Sequence, residues 1–192
     1  MSWQQQKFLG LFLLMLLLEA CKPIGSKSEK WKPPRVYYNA KPIMVVQYLQ
    51  NKFPGYHLIG KRDFAALWWS FYNKNDIPYL VSSDFNNDGV ADYATIISNG
   101  KKMVLVIMLG SGSSFKHWLV PDLSLKAEEN GLSYGLSIQP PAQIDAVHPE
   151  AKTLYLKNNA IMVNHYELHD RIYYYEDQTF KVFTMSEKGT HH

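Results

Sequence analysis

From Tyr79 onward, apart from residues 121–150, the chain is a series of short β-strand signatures, and this limits its possible folds more than any other feature. "YLVSS", "DYATIIS", "FKHWLV", "KTLYLK", "AIMVNHYEL", "RIYYYED" and "TFKVFTM" are rich in β-branched and aromatic residues. Gly, Asn, Asp or Pro separates most of them, as strand boundaries require. "NGKK", Asn99–Lys102, carries the Asn-Gly pair of a tight hairpin. Met103–Leu109, "MVLVIML", is apolar throughout, which suits a central strand. "GSGSS" then turns the chain. Residues 121–150 hold Pro121, Pro140, Pro141 and Pro149, show no regular pattern, and are expected to lie over the sheet.

Upstream the periodicity changes. Residues 41–53, "KPIMVVQYLQNKF", predict a helix: Pro42 suits its first turn, and Ile43, Val46, Leu49 and Phe53 recur at helical spacing. Pro54-Gly55 ends it. "YHLIG" reads as a short extended piece. "RDFAALWWSFYNK", Arg62 to Lys74, predicts a second helix with Asp63 as its cap and Phe64, Leu67, Trp68 and Phe71 on the buried face. The predicted class is therefore α+β: two N-terminal helices packed on a mainly antiparallel β-sheet, with an Asp-rich loop between two strands. No fixed-period repeat is present.

The first 21 residues belong to a different category. Lys7 precedes an apolar run of eleven residues, Phe8 to Leu18. A lone membrane-spanning helix needs about 20 residues, whereas the apolar region of a secretory signal is this short. The run ends at "LEAC". Leu18, Ala20 and Cys21 resemble the lipobox of bacterial lipoproteins; Glu19 departs from the small or uncharged residue usual there. The resemblance implies a signal peptide at 1–20 and lipid on Cys21, the only cysteine in the chain. Several acyl chains would anchor the protein stably where one would not. The competing readings are an ordinary signal peptide, or an uncleaved anchor with an incidental cysteine. Lys22, a residue other than Asp after the cysteine, implies outer-membrane sorting if the host is a diderm bacterium.

Residues 21–36 then form a basic tether. Lys22, Lys27, Lys30, Lys32 and Arg35 stand against Glu29 alone, a net of +4. Residues 37–188 are expected to form a single globular domain. From 37 to the end, 14 basic residues meet 15 acidic ones, so the sequence pI of about 8.8 comes from the tether. A nucleic-acid-binding domain would carry the basic charge on its folded part, so nucleic acid is set aside. The tether can lie near anionic headgroups, or serve as a solvated spacer.

The chemistry centres on "DFNNDGVADYA", Asp84–Ala94. Asp84, Asn86, Asp88 and Asp92 occupy positions 1, 3, 5 and 9 of a loop with Gly89 at position 6 and the Val90 carbonyl at position 7. Calcium takes six to eight oxygen ligands, and alternate side chains on a curled backbone can supply them. Thr95 at position 12 replaces the bidentate glutamate of an EF-hand, and the flanks read as strands. The pattern resembles instead the calcium loop of FG-GAP and VCBS-type repeats, Asp-x-Asn/Asp-x-Asp-Gly-x-x-Asp between two strands. That resemblance covers about 15 residues in a single copy, so no propeller is expected. It implies that Asp84, Asn86, Asp88, Val90 and Asp92 bind calcium in a structural role. The alternative is a metal-free turn, which Asn, Asp and Gly also favour.

Other groupings are weaker. "HYELHD" places His165, Glu167, His169 and Asp170 close in sequence. In a strand, residues four apart are about 13 Å apart, too far for one zinc, so an exposed strand-turn is expected. "GSGSS" lacks a P-loop lysine, and no nucleophile elbow occurs in strand–turn–helix context. Among the aromatics, core packing is expected for most, with Tyr173 and Tyr175 on one face of their strand and Tyr174 on the other. Trp69, Tyr72 and Tyr174 are candidates for stacking on a ligand, sugars included.

The expectation is a non-catalytic, lipid-anchored cell-envelope protein whose calcium-stabilised domain binds a protein or glycan partner. A cell-wall-directed hydrolase and a structural or assembly subunit of an envelope complex are the alternatives.

Overall fold

The computed structural model describes residues 42–74, 76–125, 131–146, 151–165 and 170–185, with the backbone alone for 121–125. The signal peptide, Cys21, the tether, Glu167 and His169 lie outside the described residues.

Eleven strands among the described residues pair antiparallel throughout. They are β1 (His57–Leu58), β2 (Leu80–Ser83), β3 (Asp92–Ser98), β4 (Met103–Ser111), β5 (Ser114–Leu125), β6 (Tyr134–Gln139), β7 (Gln143–Ala146), β8 (Lys152–Tyr155), β9 (Ala160–His165), β10 (Arg171–Glu176) and β11 (Thr179–Thr184). The first sheet runs β1-β3-β4-β5, with β2 also paired to β3. The second runs β11-β10-β9-β6, and β7-β8 form a separate ribbon. β1 and β2 share one edge of β3: Leu58 faces Ile97, while Leu80 faces Thr95 and Ser83 faces Asp92.

Side-chain alternation stacks these pieces into layers. Ala94, Ile96, Leu105, Ile107 and Leu109 of the first sheet meet Leu136, Ile161, Val163 and Tyr173 of the second in the central core. The opposite face of the first sheet, with Ile97, Val106 and Met108, is covered by α1 (Ile43–Lys52) through Val45 and Leu49. The opposite face of the second, with Ala160, Ile172 and Phe183, is covered by the β7-β8 ribbon through Ile144, Ala146 and Leu154. β4 is apolar at nearly every position because it is covered on both faces. Leu136 N donates to the Pro78 carbonyl at 2.6 Å on one flank of this sandwich. On the other, Trp118 packs edge-on against Phe180 and Tyr175.

The α+β arrangement of two helices on a sheet does not hold: the domain is a β-sandwich with one ten-residue helix on an outer face. The second predicted helix, Arg62–Lys74, forms only α2 (Trp68–Phe71). The reason is competition for its backbone. Asp63 does not cap a helix; its Oδ2 accepts from Gly60 N at 2.6 Å and closes the 3-10 turn Lys61–Asp63. Leu132 N then donates to the Asp63 carbonyl (2.7 Å) and Ala65 N to the Leu132 carbonyl (2.9 Å). Groups bonded across the molecule cannot bond four residues along a helix. Phe64 and Trp68 are buried, but Leu67 and Phe71 face solvent. In α1 the predicted Leu49 is buried and Phe53 packs beside it, but Val45 and Tyr48 turn inward in place of Ile43 and Val46, and Ile43 is 72% exposed. Residues 131–146, expected to be irregular, supply β6 and β7. Gly135 in β6 has a packing reason, because a Cβ there would overlap the Trp68 ring.

Candidate functional site: the aspartate loop

The loop is built between β2 and β3, where two strands pair up to Ser83–Asp92 and the eight residues between them must reverse direction. Positive φ at Asn87 (60°) and Gly89 (82°) makes the reversal tight. Asn tolerates that region better than most side chains, and Gly adopts it without a Cβ penalty.

The loop's acidic and amide side chains turn onto its own backbone. Asp84 Oδ1 accepts from Asp88 N (3.1 Å) and Asp84 Oδ2 from Gly89 N (2.8 Å). Asn86 Oδ1 also accepts from Asp88 N (3.2 Å), and its amide donates to Asp88 Oδ2 (2.8 Å). Asp88 Oδ1 accepts from Val90 N at 2.8 Å. These are Asx-type turn bonds, and they account for three backbone donors that would otherwise point into the loop.

Asp92 plays a different part. It is fully buried. Its Oδ2 accepts from Phe85 N (2.8 Å), and its Oδ1 from Gly110 N on β4 (2.9 Å). One carboxylate thus ties the start of the loop to the end of a neighbouring strand. Phe85 anchors the same corner in the central core, with no exposure. Gly110 allows the close approach: a Cβ there would lie 2.6 Å from Val90 Cγ1 and 2.7 Å from the Ala91 carbonyl oxygen. Burial pushes the Asp92 carboxyl up to about 6, and the negative charges of Asp88 and Asp84 push the same way; the two backbone N–H bonds oppose them.

The donor set suits a hard cation in kind, since every candidate atom is oxygen. In arrangement it is a turn network. Among the described residues, no group of three or more His, Cys, Asp or Glu side chains is gathered to hold a metal. Each carboxylate oxygen bonded to one N–H keeps a second lone pair. Asp84 and Asn86 are half-buried and Asp88 is exposed, so their side chains have room to re-aim. Val90 contributes no side-chain donor; its carbonyl would be the contributing atom.

No family model, curated protein or solved structure aligns with this chain. Assignment of its role therefore rests on its own geometry.

The remaining candidates separate. Trp69 is half-buried, packs on Phe64 at 5.7 Å between ring centres, and has Lys61 Nζ 5.8 Å from its own. Tyr72 stacks on Trp68 at 3.8 Å; burial raises its phenol, with the Asp170 charge adding to the effect. Both pack around the central core. Tyr174 packs instead against the core under the β7-β8 ribbon, so the three do not form one binding face. Tyr173 lies in the central core, with Tyr175 packed against it.

His165 corrects the expectation of an exposed strand-turn. It is buried at the end of β9, 3.1 Å from Ser133 Oγ through Nε2 and 4.2 Å from the Tyr134 ring. Asp170 Oδ1 accepts from the His165 backbone N at 2.9 Å. Serine, histidine and aspartate thus meet, but the carboxylate bond goes to the main chain rather than the ring, and Ser133 is sealed in the interior. The arrangement pins the end of β9. Its sequence signal was hidden, because Ser133 lies 32 residues away with no motif between.

Proposed function

We propose that this protein is a non-catalytic, lipid-anchored component of a bacterial cell envelope, at the outer membrane in a diderm host. Its β-sandwich is braced by calcium at Asp84–Asp92 and binds a protein or glycan partner. The observation that carries the calcium part is Asp92, a fully buried carboxylate with Asp84 and Asp88 pressing on its charge. A divalent cation between these acids would supply the missing counter-charge. Asp84, Asn86, Asp88 and the Val90 carbonyl would complete the oxygen set, with Asp92 holding the frame or sharing a lone pair. The ion's contribution would be structural, fixing the β2–β3 connection.

The anchor rests on "LEAC" and the lone Cys21. Among the described residues no helix is long and apolar enough to cross a membrane; attachment in this reading is through the lipid.

Calorimetry of the mature protein with calcium or with EGTA tests the brace. Calcium is expected to raise the wild-type melting temperature, and Asp88→Ala is expected to abolish that rise. An unchanged wild-type transition would remove calcium from the proposal. Detergent phase partitioning tests the anchor: Cys21→Ser should move the protein from the detergent phase to the aqueous phase.

A further inference from the structure

The pairing of β10 with β9 stops early. Arg171, Ile172 and Tyr173 face Val163, Met162 and Ile161, but Tyr174–Glu176 continue against β11 alone. On the β9 side, the chain from Leu156 to Asn159 bends away and leaves an open cleft of about 80 Å³. Tyr155, Lys157, Asn158, Asn159, Tyr174 and Glu176 line it.

The chemistry of this wall is specific. Tyr155 is 67% exposed, so most of its ring is available to a ligand. Tyr174 is half-buried, held from behind by the ribbon core. Two amides, one ammonium and one carboxylate surround the rings. Glu176 is held by Lys181 Nζ at 2.7 Å, and together with Asp177 and Lys157 the charges around the cleft cancel, which disfavours a highly charged ligand. Aromatic faces beside side chains that both donate and accept are what a pyranose ring needs: its C–H face packs on the aromatic ring and its hydroxyls bond the amides. Pockets that enclose a small molecule measure about 300–1,000 Å³. This cleft can take one face of a sugar ring, not engulf it, so binding should be weak.

We infer that the Tyr155–Tyr174 cleft binds a neutral pyranoside, one or two rings of a longer glycan. This rests on the partner-binding reading above and narrows it to a saccharide. The cleft is also fixed to the aspartate loop: Asn159 Nδ2 donates to Ser83 Oγ at 2.8 Å, and Ser83 immediately precedes Asp84. The loop and the cleft therefore share one support.

The test is NMR titration of the mature, full-length protein with ring-labelled tyrosines, in a zwitterionic detergent without sugar headgroups. Maltose, cellobiose and diacetylchitobiose serve as probes. At least one should shift the Tyr155 and Tyr174 signals with a Kd on the order of 1 mM. Tyr155→Ala should weaken that binding about tenfold and Asn158→Ala several-fold, while Tyr155→Phe retains it. Tyr155 is exposed, so an unchanged melting temperature verifies that its variants fold. No shift with any of the three sugars, or binding that survives Tyr155→Ala, overturns the inference. Calcium-dependent melting, read on the same samples, reports separately on the brace.

Discussion

Asp84–Asp92 and Lys61–Tyr72 are both short, compositionally extreme segments, yet they obey different rules. The aspartate loop is governed by its neighbours in sequence: Asp84, Asn86 and Asp88 bond backbone groups two to five residues away. The aromatic segment is governed by residues about 70 positions away, since Leu132 takes the hydrogen bonds of Asp63 and Ala65. A polar turn carries its partners with it. An aromatic-rich segment meets its partners only after the sheets have packed.

The largest test of that contrast is Trp68. Trp68→Ala should cost about 3–5 kcal/mol in urea unfolding, since the ring is buried between Phe64, Tyr72 and Gly135. Leu67→Ala and Phe71→Ala should stay within about 0.5 kcal/mol because both face solvent. A loss of several kcal/mol at Leu67 would instead restore the amphipathic helix that the sequence suggested.

Asp92 is the loop residue whose partners lie furthest from it in the chain, and it should behave unlike its neighbours. Asp92→Asn keeps the size but leaves only one oxygen for Phe85 N and Gly110 N. A loss of about 1–3 kcal/mol is expected from the unsatisfied buried donor. An equal loss from Asp88→Asn at the exposed rim would erase the distinction between frame and rim.

The pH dependence follows from the same residue. Its carboxyl is raised from 3.8 to about 6 in the folded chain, so the folded state holds the proton more tightly than the unfolded one. The resulting stability is fully present below about 4 and is lost as pH rises through about 6. Without calcium, this part of the stability should fall by on the order of 1–3 kcal/mol between those limits. Denaturation of wild type against Asp92→Asn isolates it, because the variant lacks the titration. Calcium should flatten the wild-type slope by favouring the ionised form.

The smallest expected effect is Asp88→Ala without calcium, about 0.5 kcal/mol or less. It removes the rim hydrogen bonds that Asp88 accepts from Val90 N and the Asn86 amide, but also a negative charge that presses on Asp92. A large loss in EGTA would mean that the Asx bonds, rather than an ion, hold the loop.

Most strands were legible because their signal is local. The segments leading into and out of the loop, and the "NGKK" hairpin with Gly100 at φ 82°, form where their residues predict. β6 and β7 were not legible: Gly135 weakens the strand pattern, yet that glycine is what makes room for Trp68. In the candidate site, the spacing of Asp84, Asn86 and Asp88 announced the turn. The separate role of Asp92 was hidden, since its partner Gly110 lies 18 residues on. The cleft at Tyr155 had no signal, because it exists only where β9 and β10 part.

The sequence by itself determined the strand succession apart from β6 and β7, the curled aspartate turn and the chemical kinds of its donors. Each depends on backbone preference and hydrogen bonds within a few residues. Only the tertiary structure decided that the strands divide into two facing sheets, that the aromatic segment abandons its helix, and that Asp92 is buried while Asp88 is not. Those outcomes depend on which apolar faces cover one another, and burial is a property of the packed chain rather than of any residue in it.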